Sequence, residues 1–234
     1  MTGIYSHRVV AVIGATGMLG NAITQHLEGN GAIVYATTRK TKTDLTHLGQ
    51  KVEAVPNFNM CNESDRRMLL DRCAAEYGHL DALIITPGSF QQLSAAETTA
   101  EVLHELFDSN VAGPWSLMTE SRNLLKLAEH PRVILFGYSG AEQVEARRLV
   151  SGYAAVKTGL LIMAKSLARE WTPETRITVN LLAPGVLSAP PEDTVDPYPE
   201  ISVDDVLSAL DFLLSPAADA VSGTQINISR GWQV

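Results

Sequence analysis

The stretch SGYAAVKTG sets Tyr153 four residues ahead of Lys157 among small and apolar neighbours. On a helix that spacing puts a phenol and an ammonium on one face, one turn apart. The chemistry open to such a pair is proton transfer. A phenol ionises near pH 10, and bringing it to about 7 takes roughly 4 kcal/mol of preferential stabilisation of the phenolate, which a nearby cation supplies in part. The same spacing also arises where a lysine stem covers an aromatic ring. Of the six tyrosines only Tyr153 has a lysine four residues later, so the rest of the chain decides between the two.

A second constellation is GATGMLG, in which Gly14, Gly17 and Gly20 follow an apolar run and open an amphipathic one. A tight turn at Gly14, close backbone approach to a pyrophosphate at Gly17 and close helix packing at Gly20 are what a dinucleotide demands. An acidic residue after the second strand would hold the ribose hydroxyls of NAD. Here TTRK offers Thr38, Arg39 and Lys40 instead, and a cation at that place accommodates the extra phosphate of NADP. NADP(H) is therefore the expected cofactor and NAD(H) the second candidate; the alternative is that Arg39 and Lys40 are solvated loop charges.

These residues need elements to position them. Strands are expected near 8–14, 32–38, 52–55, 81–86, 131–137, 176–182 and 224–228, and helices near 18–28, 63–77, 99–128, 151–171 and 203–214, with Ser202 as N-cap of the last. Several strands, VVAVI, ALII and RVILF among them, are continuously apolar, as when helices cover both faces of a parallel sheet. The pattern predicts an α/β fold, a doubly wound parallel sheet of the Rossmann type with about seven strands. No linker, repeat or low-complexity segment divides residues 1–234, which are expected to form one domain. GLLIMA, residues 159–164, is apolar all round, which predicts burial on two sides and a homodimer or homotetramer.

Composition removes other classes. With 45% hydrophobic and 19% charged residues the chain reads as globular. Its apolar runs are too short to span a membrane, and no signal peptide is legible at the N-terminus. A cytoplasmic protein is expected. A net charge of −8 argues against nucleic acid. Cys61 and Cys73 have no metal-ligand spacing with any histidine, so neither zinc nor a disulfide is expected.

Over nearly its whole length the chain resembles the short-chain dehydrogenase/reductase family. YGHLDALIITPG resembles the family's fourth strand and its Asn-Asn-Ala-Gly turn, FDSNVAGP the segment with its helix asparagine, and YAAVK its Tyr-x-x-x-Lys. RITVNLLAPGVL resembles the sixth strand with its Pro-Gly turn, and DDVLSALDFLLSPAADAVSGTQINISRG the last helix and strand. The resemblance implies hydride transfer between a nicotinamide and a carbonyl or alcohol, with Tyr153 as acid/base, Lys157 lowering its pKa and holding the nicotinamide ribose, and Asn110 supporting a water chain to the lysine. It extends the cofactor contacts from the three glycines to Thr16, Met18, Leu19, Thr38, Arg39, Asn59, Met60, Pro87, Gly88, Tyr153, Lys157, Pro184, Gly185 and Leu187.

The chain also departs from the family. The place of the catalytic serine falls on Tyr138, with Ser139 one residue later; Ser139 is the favoured counterpart, Tyr138 the alternative, and a site that uses neither the third. Ile85, Thr86, Pro87 and Gly88 stand for Asn-Asn-Ala-Gly, keeping only the glycine. The glycine spacing is closer to the family's extended or atypical branches, and Asn59 replaces the aspartate that meets the adenine. The Pro-rich, acidic segment 186–201 is shorter than the usual substrate lid, which implies an open site. These departures motivate two competitors: a non-catalytic nucleotide-sensing or scaffold protein, and a pteridine-type reductase of C=N or C=C bonds.

Overall fold

A computed structural model describes residues 3–41, 45, 48–143, 145–185, 187 and 200–231. Seven strands form one sheet in the order β3-β2-β1-β4-β5-β6-β7. They are β1 (Val9–Ile13), β2 (Ile33–Thr37), β3 (Val52–Val55), β4 (Ala82–Ile85), β5 (Arg132–Phe136), β6 (Thr178–Pro184) and β7 (Gln225–Ile228). Every neighbouring pair is parallel. Because the chain leaves β1 for β2 on one side and returns to β4 on the other, a crevice opens at the carboxyl ends of β1 and β4. The glycine loop lies at that crevice.

The continuous apolar strands have a direct cause. In β1, Val9, Ala11 and Ile13 pack into one core, with α2 (Glu63–Tyr77), α4 (Gly113–Leu125) and α5 (Ser151–Thr175). Val10 and Val12 pack into a second core on the opposite face, with α1 (Met18–Gly29) and α6 (Val203–Leu214). Both faces are covered, so β1 and β4 carry apolar side chains on both sides.

Local signals place the helix ends. Asn62 accepts from the Ser64 N–H to start α2, and Gly78, with φ of 74°, ends it in a left-handed turn. Ser202 and Asp205 form a reciprocal capping box at α6. The helix expected over 99–128 is instead broken: α3 (Ala100–Phe107) runs into a π-helical turn at Asp108–Ala112 before α4 begins. Pro114, inside the first turn of α4, has no N–H to return to the Asn110 carbonyl, and the Gly113 N–H reaches Asp108. The widened turn carries Asn110 inward. The lid segment falls mainly on residues outside those described.

The all-round apolar stretch in α5 is mostly covered by this chain itself. Leu160, Leu161 and Ala164 are buried against the sheet, and Met163 packs in a cluster of Leu106 from α3, Val111 from the π turn and Val156 of α5 itself. Ile162 alone of the stretch is well exposed, at 61%. The inference of two buried sides was right in substance, but α3 supplies much of the second cover that self-association was expected to provide.

Candidate active site

At the carboxyl ends of the strands lies a cleft of about 640 Å³. The glycine loop forms its floor. Gly14 has φ of 83°, a conformation that disfavours a side chain. A Cβ on Gly20 would stand 2.1 Å from the Gly14 carbonyl oxygen, so only glycine lets α1 approach its own entry turn. No side chain caps α1 and no acid lies in its first turn, leaving its N–H groups and positive dipole end for an anion. The cleft, the bare helix start and the glycine cradle fit a dinucleotide.

Most of the expected cofactor residues line this cleft: Gly14, Thr16, Gly17, Met18, Leu19, Gly20, Thr38, Arg39, Asn59, Met60, Pro87, Gly88 and Leu187. Thr38 is tied across to Thr16 through their hydroxyls at 3.2 Å, and Arg39 is solvent-exposed at the rim. Tyr153, Lys157, Pro184 and Gly185 are not part of the lining; Gly185 is held by the Ile228 carbonyl at the end of β7. Lys40, which the sequence offers beside Arg39, is also in the lining, and the lining adds Cys61, Thr86, Ser89 and Ser109, which sequence reasoning left out. Thr86 explains how the turn after β4 manages without amide side chains: its hydroxyl donates to the Ile13 carbonyl at 2.8 Å, clamping β4 to β1. The Asn59 carbonyl oxygen already accepts the Cys61 N–H at 3.1 Å, which leaves one lone pair for an incoming donor.

Behind Gly88, which lines the cleft, the helical residues converge. Lys157 is buried, and its Nζ donates to the Phe136 carbonyl at 2.8 Å. Loss of water around the ammonium pulls its pKa down to about 8. Asn110, fully buried in the π turn, donates from Nδ2 to the carbonyls of Leu106 and Ser89, each at 3.0 Å. Its Oδ1 is buried with no hydrogen-bond partner. A Cβ on Gly88 would stand 2.2 Å from that Oδ1 and 3.2 Å from the lysine Nζ. Gly88 therefore separates an orphan acceptor from an ammonium, and its missing side chain is what leaves the two room.

Tyr153 lies between two aromatic rings. Phe90 meets it edge-on at 4.9 Å and Tyr138 at 5.6 Å, while Lys157 Nζ is 5.6 Å from its ring centre. Burial, and secondarily Tyr138, push the phenol up to about 12. The expectation that Lys157 lowers this pKa is thus not met in the unliganded chain, where desolvation of the phenol dominates. Tyr138 shares the core slab of Tyr153, and Ser139 beside it is fully buried. The loops over the site are clasped by the Leu93 N–H on the Leu149 carbonyl at 2.6 Å. Leu149 holds φ of 64° there, an unusual conformation for a leucine.

Comparison with known proteins agrees with this geometry. The profile of the family described as enoyl-(acyl carrier protein) reductase matches residues 14–233. The cyclic-di-GMP-binding biofilm dispersal mediator protein of Escherichia coli K12 is 27% identical over 78% of this chain and 74% of its own length. The 3-oxoacyl-[acyl-carrier-protein] reductase of the same organism is 22% identical over 97% of this chain and 98% of its own. A short chain dehydrogenase from Leptospira borgpetersenii serovar Hardjo-bovis, solved with bound NAD+, superposes with a TM-score of 0.87 at 19% identity, covering 98% of this chain and 94% of that one.

The buried ammonium makes a prediction about stability. Its folded pKa lies below that of an unfolded lysine, so the unfolded chain binds more protons between the two values and stability must rise with pH there. Stability is fullest above the unfolded lysine pKa near 10.4 and is lost as pH falls through about 8. Thermal unfolding of Lys157→Met should lack this increment, so that the variant gains most over the wild type below pH 8 in the absence of cofactor. An equal pH dependence in both proteins would show that Lys157 does not carry the shift.

Proposed function

The chain belongs to the short-chain dehydrogenase/reductase family of oxidoreductases, and on that premise we propose that it interconverts a carbonyl and an alcohol with NADP(H) as preferred cofactor and Tyr153 as acid/base. The meeting of Asn110 and Lys157 at Gly88, which lines a dinucleotide-shaped cleft, with Tyr153 beside the lysine, carries this reading. The cofactor supplies two electrons and a hydrogen to the carbonyl carbon, or takes them back in the reverse direction. Tyr153 gives its phenolic proton to the oxygen, and the bond order of C=O falls to that of C–OH. Lys157 stabilises the phenolate left on Tyr153 and holds the cofactor ribose. Asn110 Oδ1 takes a water that relays protons towards the lysine. Ser139 is the preferred partner of the substrate oxygen, with Tyr138 as the alternative.

The cofactor contacts follow the residues of the cleft, with Pro184 and Gly185 approached from the β6 side. Preference for the 2′-phosphate rests on Thr38, Arg39 and Lys40 and on the absence of an acid after β2. A sensor without turnover is the second reading, favoured by Phe90 standing against the ring of Tyr153. Among the described residues no helix is long and apolar enough to cross a membrane, and both cysteines are free; these observations suit a cytoplasmic enzyme, which cell fractionation would check. Exposed Leu103 and Phe107 on α3 and Ile162 on α5 support a homodimer or homotetramer.

Three variants test these assignments. Tyr153→Phe removes one hydroxyl with little change of shape, so NADPH affinity should persist while turnover across a panel of aldehydes, ketones, quinones and pterins drops about 10²–10⁴-fold. Retained activity would move the proton source elsewhere, and absence of any wild-type turnover would favour the sensor. Arg39→Ala should erase the excess of NADPH-induced over NADH-induced thermal stabilisation; an unchanged preference removes Arg39 from 2′-phosphate recognition. Ile162→Glu should shift sedimentation to the monomer, and a monomeric wild type at micromolar concentration would end the oligomer proposal.

A further inference from the structure

A second cavity, of about 340 Å³, lies behind Tyr138, between the β5–α5 loop and the first turns of α5. It shares no lining residue with the cofactor cleft. Its polar lining residues are Gln143, Glu145, Arg147, Ser151 and Thr158. The rest is small and apolar, formed by alanines such as Ala155 and the ring of Tyr138.

Arg147 is the feature that calls for a ligand. Its side chain is 16% exposed, its guanidinium carbon stands 6.0 Å from the centre of the Tyr138 ring, and its Nη2 is buried with no hydrogen-bond partner among the described residues. The nearest carboxylate oxygen, on Glu145, is 3.4 Å away on a side chain that is itself 55% exposed, so it tempers the charge without satisfying the donor. A buried guanidinium donor left without an acceptor is costly, the more so because it is charged. The start of α5 at Ser151 carries neither a side-chain cap nor an acid in its first turn, which adds a second favourable element for negative charge.

We propose that this cavity binds a small carboxylate, its oxygens on Arg147 and its short apolar body against Tyr138 and the alanines. A planar carboxylate matches the guanidinium fork. The volume is at the lower end for small-molecule sites, and the single guanidinium with Glu145 beside it favours a monoanion over phosphate. Binding to this cavity does not depend on the hydride-transfer reading. Tyr138, which walls the cavity, also meets the ring of Tyr153 edge-on.

Isothermal titration of the cofactor-free protein at fixed ionic strength tests it, with butyrate, the neutral isostere butyramide and inorganic phosphate as probes. Butyrate should saturate one site, and butyramide should bind at least tenfold more weakly. Arg147→Gln should weaken butyrate about tenfold to a hundredfold, the equivalent of one lost charge-assisted hydrogen bond. Ala155→Phe, which fills the cavity from a solvent-exposed helix position and leaves Arg147 intact, should abolish binding. No saturable butyrate binding, tighter binding of phosphate, or unchanged affinity in both variants would overturn the assignment. Butyrate that competes with an aldehyde bearing a terminal carboxylate would mark the occupant as the substrate's own anionic end. Butyrate that binds without competing would mark a separate effector, and both outcomes keep the cavity as a carboxylate site.

Discussion

The ammonium of Lys157 is almost wholly removed from water, and a charge so placed persists only where oxygen atoms replace its hydration. The Phe136 carbonyl supplies one such oxygen, at the end of β5, next to the central strand β4. The unpartnered Oδ1 of Asn110 approaches from the other side of Gly88. Each of these depends on something larger. The carbonyl is available because β5 ends there, Asn110 is turned inward because the helix widens before Pro114, and Gly88 leaves the gap because it has no side chain. Disturbing any of the three leaves a buried charge with too few partners.

The same economy of space shapes the cleft. Gly14 and Gly20 allow α1 to begin against the end of β1, and Thr86 locks β4 beside it. The helix start is left uncapped, so an anionic ligand would complete what the chain leaves unsatisfied. On the far side, Tyr153 is enclosed by aromatic rings, and its burial, with Tyr138 second, raises its pKa. A phenol in that state holds its proton firmly, and neither its ring contacts nor the lysine's backbone bond makes it reactive in the unliganded chain. Extra positive charge, brought by an oxidised cofactor, would act in the direction needed.

The fold was legible because its signals are physical necessities: apolar strands buried on two faces, glycines where backbones touch, and capping residues such as Ser202. All seven strands lie within a residue or two of their expected places, as do α1, α2 and α6. The π turn was missed because i+5 pairing leaves no periodic signature over five residues; Pro114 was its one local clue. The cover over α5 was misjudged because sequence periodicity shows which side chains are apolar, not whether α3 of the same chain reaches them. The ring stack around Tyr153 and the donor of Arg147 arise from loops distant in sequence. Leu149 at positive φ could not be foreseen, since leucine rarely takes that conformation.

The central claim is that Tyr153 is a reluctant acid which cofactor binding converts into a working one. Carbon-13 labelling of the tyrosine ring carbons, with Tyr153→Phe used to assign the signal, allows its titration to be followed by NMR. Without cofactor the phenol should titrate near 12; saturating NADP+ should move the midpoint down by several pH units towards neutrality. A midpoint that stays above the ordinary tyrosine value near 10 in the saturated complex would contradict the account.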